Sequence, residues 1–361
     1  MLSSKLSWMA SAVVIVALAP WIVSGAAPKK ASEQFKNIQV LKDVPADQLI
    51  PAMQFITASL GVGCDHCHVP GNFDKDDKKP KQTARQMMQM MSAINKINFA
   101  GERKVTCYSC HRGGAEPISV PVINVNAMAP AEPPKTPASL PTGEEVLNKY
   151  LAALGGSDAL VKNTTRVAKG KAIIFGTRQF PAETISKSPD RTVSITHLSD
   201  GDMSNGFNSS TGWQAIPGRP VRELSAAEID ATRLDSDFYF SHHIKDLFNT
   251  LQTAGVDNLG GHLGYVVLGK RQGLPDVKLY FDGESGLLLR MMRFEETPLG
   301  LNPVQNDYAD YRDVSGVKVP YHVTTLRAGR KGEVQLDAVE QNVSVEDSRF
   351  EMPQAAVPAP K

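Results

Sequence analysis

The chain has 361 residues, long enough for two domains, and 39 Lys plus Arg against 38 Asp plus Glu leave a formal charge of +1. That balance argues against a nucleic-acid binder, and 42% hydrophobic with 21% charged residues excludes wholesale disorder. Only four Cys occur, as the pairs Cys64/Cys67 and Cys107/Cys110, and each pair is followed at once by a His.

In chain order, Lys5 precedes an apolar run from about Trp8 to Val23, and Ser24-Gly25-Ala26 supplies a small-x-small cleavage site. Residues 1–26 therefore read as a signal peptide, which places the rest of the chain in the periplasm. The competing reading is an uncleaved anchor, against which stand the short run and its interruption by Pro20.

Residues 31–116 form a helical module. Leu49, Ile50, Met53, Ile56 and Leu60 follow the i, i+3, i+4, i+7 rule, and the pattern stops at Gly61-Val62-Gly63, just before the first Cys pair. A second helix is predicted from about Gln82 to Asn98, with Met87, Met90, Met91, Ile94 and Ile97 on its inner stripe. Asp74 to Lys81 reads as a solvated charge run. Prolines 117, 121, 130, 133, 134, 137 and 141 make residues 117–142 an extended tether with few cross-contacts, so residues 31 to about 120 are expected to work alone.

Residues 143–353 read as a β-rich module behind a helix from Glu144 to Leu154, closed by Gly155-Gly156. Strand patterns run at about 166–175, 191–198, 263–270, 276–282, 286–295, 303–312, 317–328 and 332–344. Hairpin turns fall at Asp282–Gly286 and Asp313–Gly316, and helical insertions near Ser225–Thr232 and His243–Leu251. The predicted fold class is multidomain α + β: a small α-helical module, a Pro-rich tether, and a mainly antiparallel curved sheet or half-barrel.

Cys64-Asp65-His66-Cys67-His68 and Cys107-Tyr108-Ser109-Cys110-His111 both match the c-type haem attachment pattern. Two thiols three residues apart reach the two vinyl groups of one porphyrin, and the next residue sets an imidazole under the iron. Two covalently bound haems on Cys64, Cys67, Cys107 and Cys110, with His68 and His111 as proximal iron ligands, are therefore expected. A structural zinc site is the main competitor, but zinc motifs do not require a His after each pair. Met53, 11 residues before Cys64, is placed to fold back over the haem face opposite His68. In the second unit Met87 is the first choice, with Met90, Met91 and Met88 as alternatives. His66 is read as solvent-facing or propionate-contacting, and Arg85 as exposed or bonded to a propionate.

Asn37-Ile38-Gln39-Val40-Leu41, Met53 with Ser59-Leu60-Gly61-Val62-Gly63-Cys64, and Ala84-Arg85-Gln86-Met87 followed by Val105-Thr106-Cys107 to Gly113 resemble the cytochrome c subunit of photosynthetic reaction centres. The resemblance covers roughly residues 35–120. It implies helix Met and motif His as axial ligands, here Met53 with His68 and Met87 with His111, and electron donation to an oxidised pigment pair. Familiar members carry four haems, whereas this chain has two attachment motifs. The β-rich module weakly resembles half-barrels of the lipoprotein-carrier kind. The expected role is electron transfer rather than enzymatic catalysis, with a redox partner such as a reaction centre core and room for peripheral membrane contact. A respiratory carrier, a lipid-binding half-barrel with accessory haems and a dihaem peroxidase are the alternatives.

Overall fold

The computed structural model describes residues 28–119, 139–174, 176–236, 240–327 and 330–353. The expected signal peptide and most of the Pro-rich tether lie outside these residues. A small helical region is followed by a large curved antiparallel sheet of thirteen strands.

The helical region contains α1 (Ala31–Gln34), α2 (Leu49–Leu60), α3 (Lys79–Asn98) and α4 (Cys107–His111). Helix α2 ends where the sequence predicts, because Gly61 takes up φ +64 and its N–H reaches the Thr57 carbonyl. Helix α3 starts at Lys79, earlier than predicted, with Pro80 in its first turn, where the missing N–H costs nothing. Ala52, Phe55, Ile56 and Met88 are buried together at the α2–α3 junction. The two attachment units brace each other: the Gly113 N–H donates to the Ser59 carbonyl at 2.9 Å. A Cβ on Gly61 would lie 2.1 Å from the Gly113 carbonyl oxygen, so only glycine permits this approach.

The second module opens with α5 (Gly143–Leu154) and α6 (Ser157–Val161). A capping box starts α5: Thr142 accepts from the Glu145 N–H while the Glu145 carboxylate accepts from the Thr142 N–H. The strands are β1 (Thr165–Ile174), β2 (Arg178–Lys187), β3 (Arg191–Leu198), β4 (Gly201–Asn208), β5 (Thr211–Ala215) and β6 (Arg222–Glu223). After α7 (Ala226–Ser236) and α8 (Phe240–Leu247) come β7 (Thr250–Leu259), β8 (His262–Arg271), β9 (Leu274–Asp282) and β10 (Leu288–Thr297). The sheet ends with β11 (Gly300–Val314), β12 (Val317–Arg327) and β13 (Arg330–Gln341).

The strand order is β6-β5-β4-β3-β2-β1-β13-β12-β11-β10-β9-β8-β7. The chain therefore enters mid-sheet, meanders to one edge, crosses over through α7 and α8, and meanders back until β13 pairs with β1. Val146, Leu147, Tyr150 and Leu154 of α5, with Leu234, Ile244 and Phe248 from the crossover, pack on Val267, Val277, Leu279, Phe281, Met291 and Val317. The sheet's apolar face is thus covered by the chain's own helices. Each fully buried Leu or Phe there contributes about 1.5–3 kcal/mol.

The expectation of few cross-contacts fails at one end of the sheet. Leu299, at the tip of the β10–β11 hairpin, is buried with Phe55, Ile56 and Met88. Asn302 donates to the Pro51 carbonyl at 3.2 Å, and Arg103 pairs with Glu296 at 2.5 Å while also reaching the Thr297 carbonyl. The reason is local: the two turn residues leave a compact apolar tip that fits the exposed side of α2, whatever the tether does.

Candidate functional site

Two cavities open on the helical region. The first, about 100 Å³, is lined by Met53, Cys64, Cys67, His68, Phe73 and Arg85 among others. The second, about 560 Å³, is lined by Met87, Met90, Met91, Cys107, Cys110 and His111 among others. Only the second falls in the size range of cofactor-sized pockets as it stands; the first is a narrower slot bordered by the exposed Phe73. Ile56, Cys67, Ala84 and Met88 line both, so the cavities share one wall.

The two motif histidines are prepared in the same way. His68 Nδ1 lies 2.8 Å from the Phe73 carbonyl, and His111 Nδ1 lies 3.0 Å from the Gly114 carbonyl. A carbonyl oxygen can only accept, so Nδ1 carries the proton in each ring and Nε2 keeps its lone pair for a metal. Burial holds His68 below its usual range, which favours the neutral imidazole. Burial also pushes the Cys67 and Cys107 thiols up, while Cys64 and Cys110 are exposed. The four thiols are unpaired, and among the described residues they do not gather into a metal-holding cluster of the kind structural zinc takes. The donor chemistry in both units fits a thioether-linked haem.

The buried polar residues around these rings were not legible as such. Lys81 is 8% exposed and donates to the carbonyls of Phe73, Asp74 and Lys75 at 2.9, 3.0 and 2.7 Å. It thereby fixes the carbonyl that orients His68. Arg85, Lys81 and Asn37 surround Asp76 and hold its carboxyl well below the usual carboxylate range. Within the Asp74–Lys81 stretch Asp76 and Lys81 therefore belong to an organised ion cluster with Arg85, so the stretch is not a solvated run throughout. Arg85 is committed to Asp76 at 2.8 Å and to the Asn37 carbonyl at 3.2 Å. In the second unit Asn95, 5% exposed, clamps the return loop: it donates to the Val105 carbonyl and accepts from the Lys104 and Val105 N–H groups.

Met53 lines the first cavity and Met87 the second, where Met87 is 40% and Met90 48% exposed. Met88 is buried in the shared wall. His66 belongs to the first attachment motif yet lines the second cavity, a placement that its position in the sequence does not signal. His242 and His243 lie with ring centroids 5.7 Å apart and planes tilted by 60° on α8, in the other module.

No helix among the described residues is long and apolar enough to cross a membrane. Residues 7–164 match the family described as photosynthetic reaction centre cytochrome C subunit. A photosynthetic reaction center cytochrome c subunit from Thermochromatium tepidum is 39% identical over 129 residues, which is 34% of this chain and 30% of that protein. Cytochrome c-554 of Chloroflexus aurantiacus is 32% identical over 127 residues, covering 29% of this chain and 30% of that protein. The chain thus spans about 30% of the length of these relatives. Among solved structures, an outer membrane lipoprotein-sorting protein domain from Vibrio parahaemolyticus covers 57% of this chain and 94% of its own, at 11% identity and TM-score 0.42. A LolA superfamily protein from Nitrosomonas europaea covers 59% of this chain and 98% of its own, at 11% identity and TM-score 0.41. The helical attachment region of this chain is therefore similar, within residues 7–164, to the cytochrome c subunit of photosynthetic reaction centres.

Proposed function

We propose that this chain is a periplasmic dihaem c-type cytochrome that relays electrons to a redox partner, of which a photosynthetic reaction centre core is the leading case. The observation that carries the reading is the pair of motif histidines, each with Nδ1 tied to a backbone carbonyl and each facing a cavity with a helix methionine. When bound, haem supplies a one-electron couple at its iron, and Met/His ligation raises its potential relative to other ligand sets. Cys64 with Cys67 and Cys107 with Cys110 would hold the two groups. His68 and His111 would hold the irons through Nε2 and Met53 and Met87 would supply the second ligands, a set that would leave neither site open for the oxygen chemistry a dihaem peroxidase needs. Ile56, Ala84 and Met88 line both cavities, so the wall between the two sites is apolar.

Haem-stained denaturing gels with mass spectrometry of the mature chain should give two haems; a mass for one or none overturns the reading. Met53→Ala and Met87→Ala should each open one haem to carbon monoxide. If Met90→Ala or Met91→Ala does so in place of Met87→Ala, the ligand on α3 must be reassigned. Membranes carrying the protein should show its oxidation on illumination. A respiratory carrier is the second reading, favoured by the family match ending at residue 164 while the sheet continues to Gln341. It predicts oxidation that follows an added respiratory oxidant and not light.

A further inference from the structure

The β-rich module reaches the first attachment unit at a second point. Hairpins β10–β11 and β12–β13 turn at the same end of the sheet, since Val304 near the start of β11 pairs with Arg327 at the end of β12. The first tip grips α2 through Leu299 and Asn302, and its Glu296 pairs with Arg103 in the loop before the second Cys pair. The second tip carries three cations with different fates. Arg327 pairs with Glu295 at 2.6 Å and Lys331 with Glu333 at 2.6 Å, so both are neutralised within the sheet. Arg330 has no carboxylate partner among the described residues; its guanidinium Nη2 instead lies 3.9 Å from Cys64 Sγ.

We propose that Arg330 is a charge-tuning residue from the β-rich module, set at the thioether edge of the first haem and raising that haem's reduction potential above the value it would have without the sheet. This rests on the dihaem reading. The physical argument is short. Cys64 is exposed, and the sulfur that would bond the porphyrin is the atom Arg330 approaches. Oxidising the iron adds one positive charge, and an uncompensated guanidinium beside the ring opposes that addition. Unlike a Lys or His, Arg keeps its charge at every working pH, so the bias is permanent. The sheet meets the second unit differently: Glu296 pairs with Arg103 in the loop before Cys107, Leu299 belongs to the cluster against which Cys107 packs, and among the described residues no β-module cation bonds Cys107, Cys110 or His111.

The test is an optically monitored redox titration of the full-length haem-loaded protein, comparing the parent, Arg330→Gln and Arg330→Lys. Met53→His, which replaces the proposed thioether ligand by imidazole, marks the first haem by moving its wave down. Arg330→Gln should lower the marked wave and leave the other in place, and Arg330→Lys should restore most of the shift. Two unmoved waves in Arg330→Gln, or two waves displaced together, would overturn the proposal. A protein that carries fewer than two haems, or in which Met53→His moves neither wave, would instead count against the haem and ligand reading itself.

Discussion

In the β-rich module Leu147, Leu279, Phe281 and Val317 sit in one continuous core of helices on sheet. The central cluster of the helical region has Ala52, Phe55, Ile56 and Met88 of its own, and its fifth buried member, Leu299, comes from the sheet. Around the second cavity Met87 is 40% and Met90 48% exposed, and Ile97 further along α3 is 78% exposed. A module of this size buries too little to be stable by its own side chains. The sheet's core is built from its own helices and strands, whereas the central cluster of the helical region is completed by a residue that docks on it.

The largest expected effect follows from that contrast. Replacing Cys64, Cys67, Cys107 and Cys110 together by Ser should leave the helical region unfolded while the sheet persists. Limited proteolysis should then cut within residues 31–116 and spare residues 143–353, and the helical circular dichroism should fall. A helical region that stays protected without haem would remove the asymmetry between the modules.

Next in size is a core deletion on the other side. Leu147 is 1% exposed in the sheet's core, so Leu147→Ala should cost about 2–5 kcal/mol of stability. Thermal unfolding of the β-rich module should move down while the haem absorption bands keep their positions. The coupling between the modules is probed at Gly300, where a Cβ would lie 2.5 Å from the Phe55 ring and φ is +155. Gly300→Val should therefore cost about 1–3 kcal/mol, and it should expose α2 to proteolysis before it unfolds the sheet.

What the sequence shows and what it hides divide along physical lines. The stop of α2 at Gly61 and the turn at Asp282–Gly286 are local chemistry, and both stand where the residues place them. Strands β2, β4, β5, β6 and β7 were missed. Pro181 interrupts the pattern of β2, Gly201, Asn205 and Gly206 thin out β4, and β7 is an edge strand whose first two residues, Thr250 and Leu251, fall within the expected helix. Such strands are specified by their neighbours more than by their own propensity. Lys81 and Asn95 lie seven residues either side of the buried Met88, on the inner face of α3, but as polar side chains they add nothing to an apolar stripe that would mark them as buried clamps. The docking of Leu299 joins residues more than 200 positions apart and has no local signal at all.

The smallest effect, and the one that resolves the helical region most finely, concerns pH. The Arg85 guanidinium, the Lys81 ammonium and the Asn37 amide all bond the Asp76 carboxylate, so its folded-state pKa lies below that of the unfolded chain, about 3.9 for an Asp. A depressed carboxylate stabilises the fold at any pH above the unfolded value, and this contribution is lost as pH falls below about 4. Protonation there also strips the buried Lys81 of its counter-ion and loosens the loop whose Phe73 carbonyl orients His68. Asp310 and Asp347 in the β-rich module are held down by Arg312 and by Lys187 with Arg191, so acid weakens both modules and a bare pH profile does not separate them. Asp76→Asn does separate them. Thermal melting of the helical region should be lower in this variant than in the parent at neutral pH, and the difference should close as pH drops below about 4, because the parent then loses what the variant never had. A gap that stays constant down to the lowest pH would mean that Asp76 acts through its shape and hydrogen bonds and not through its charge.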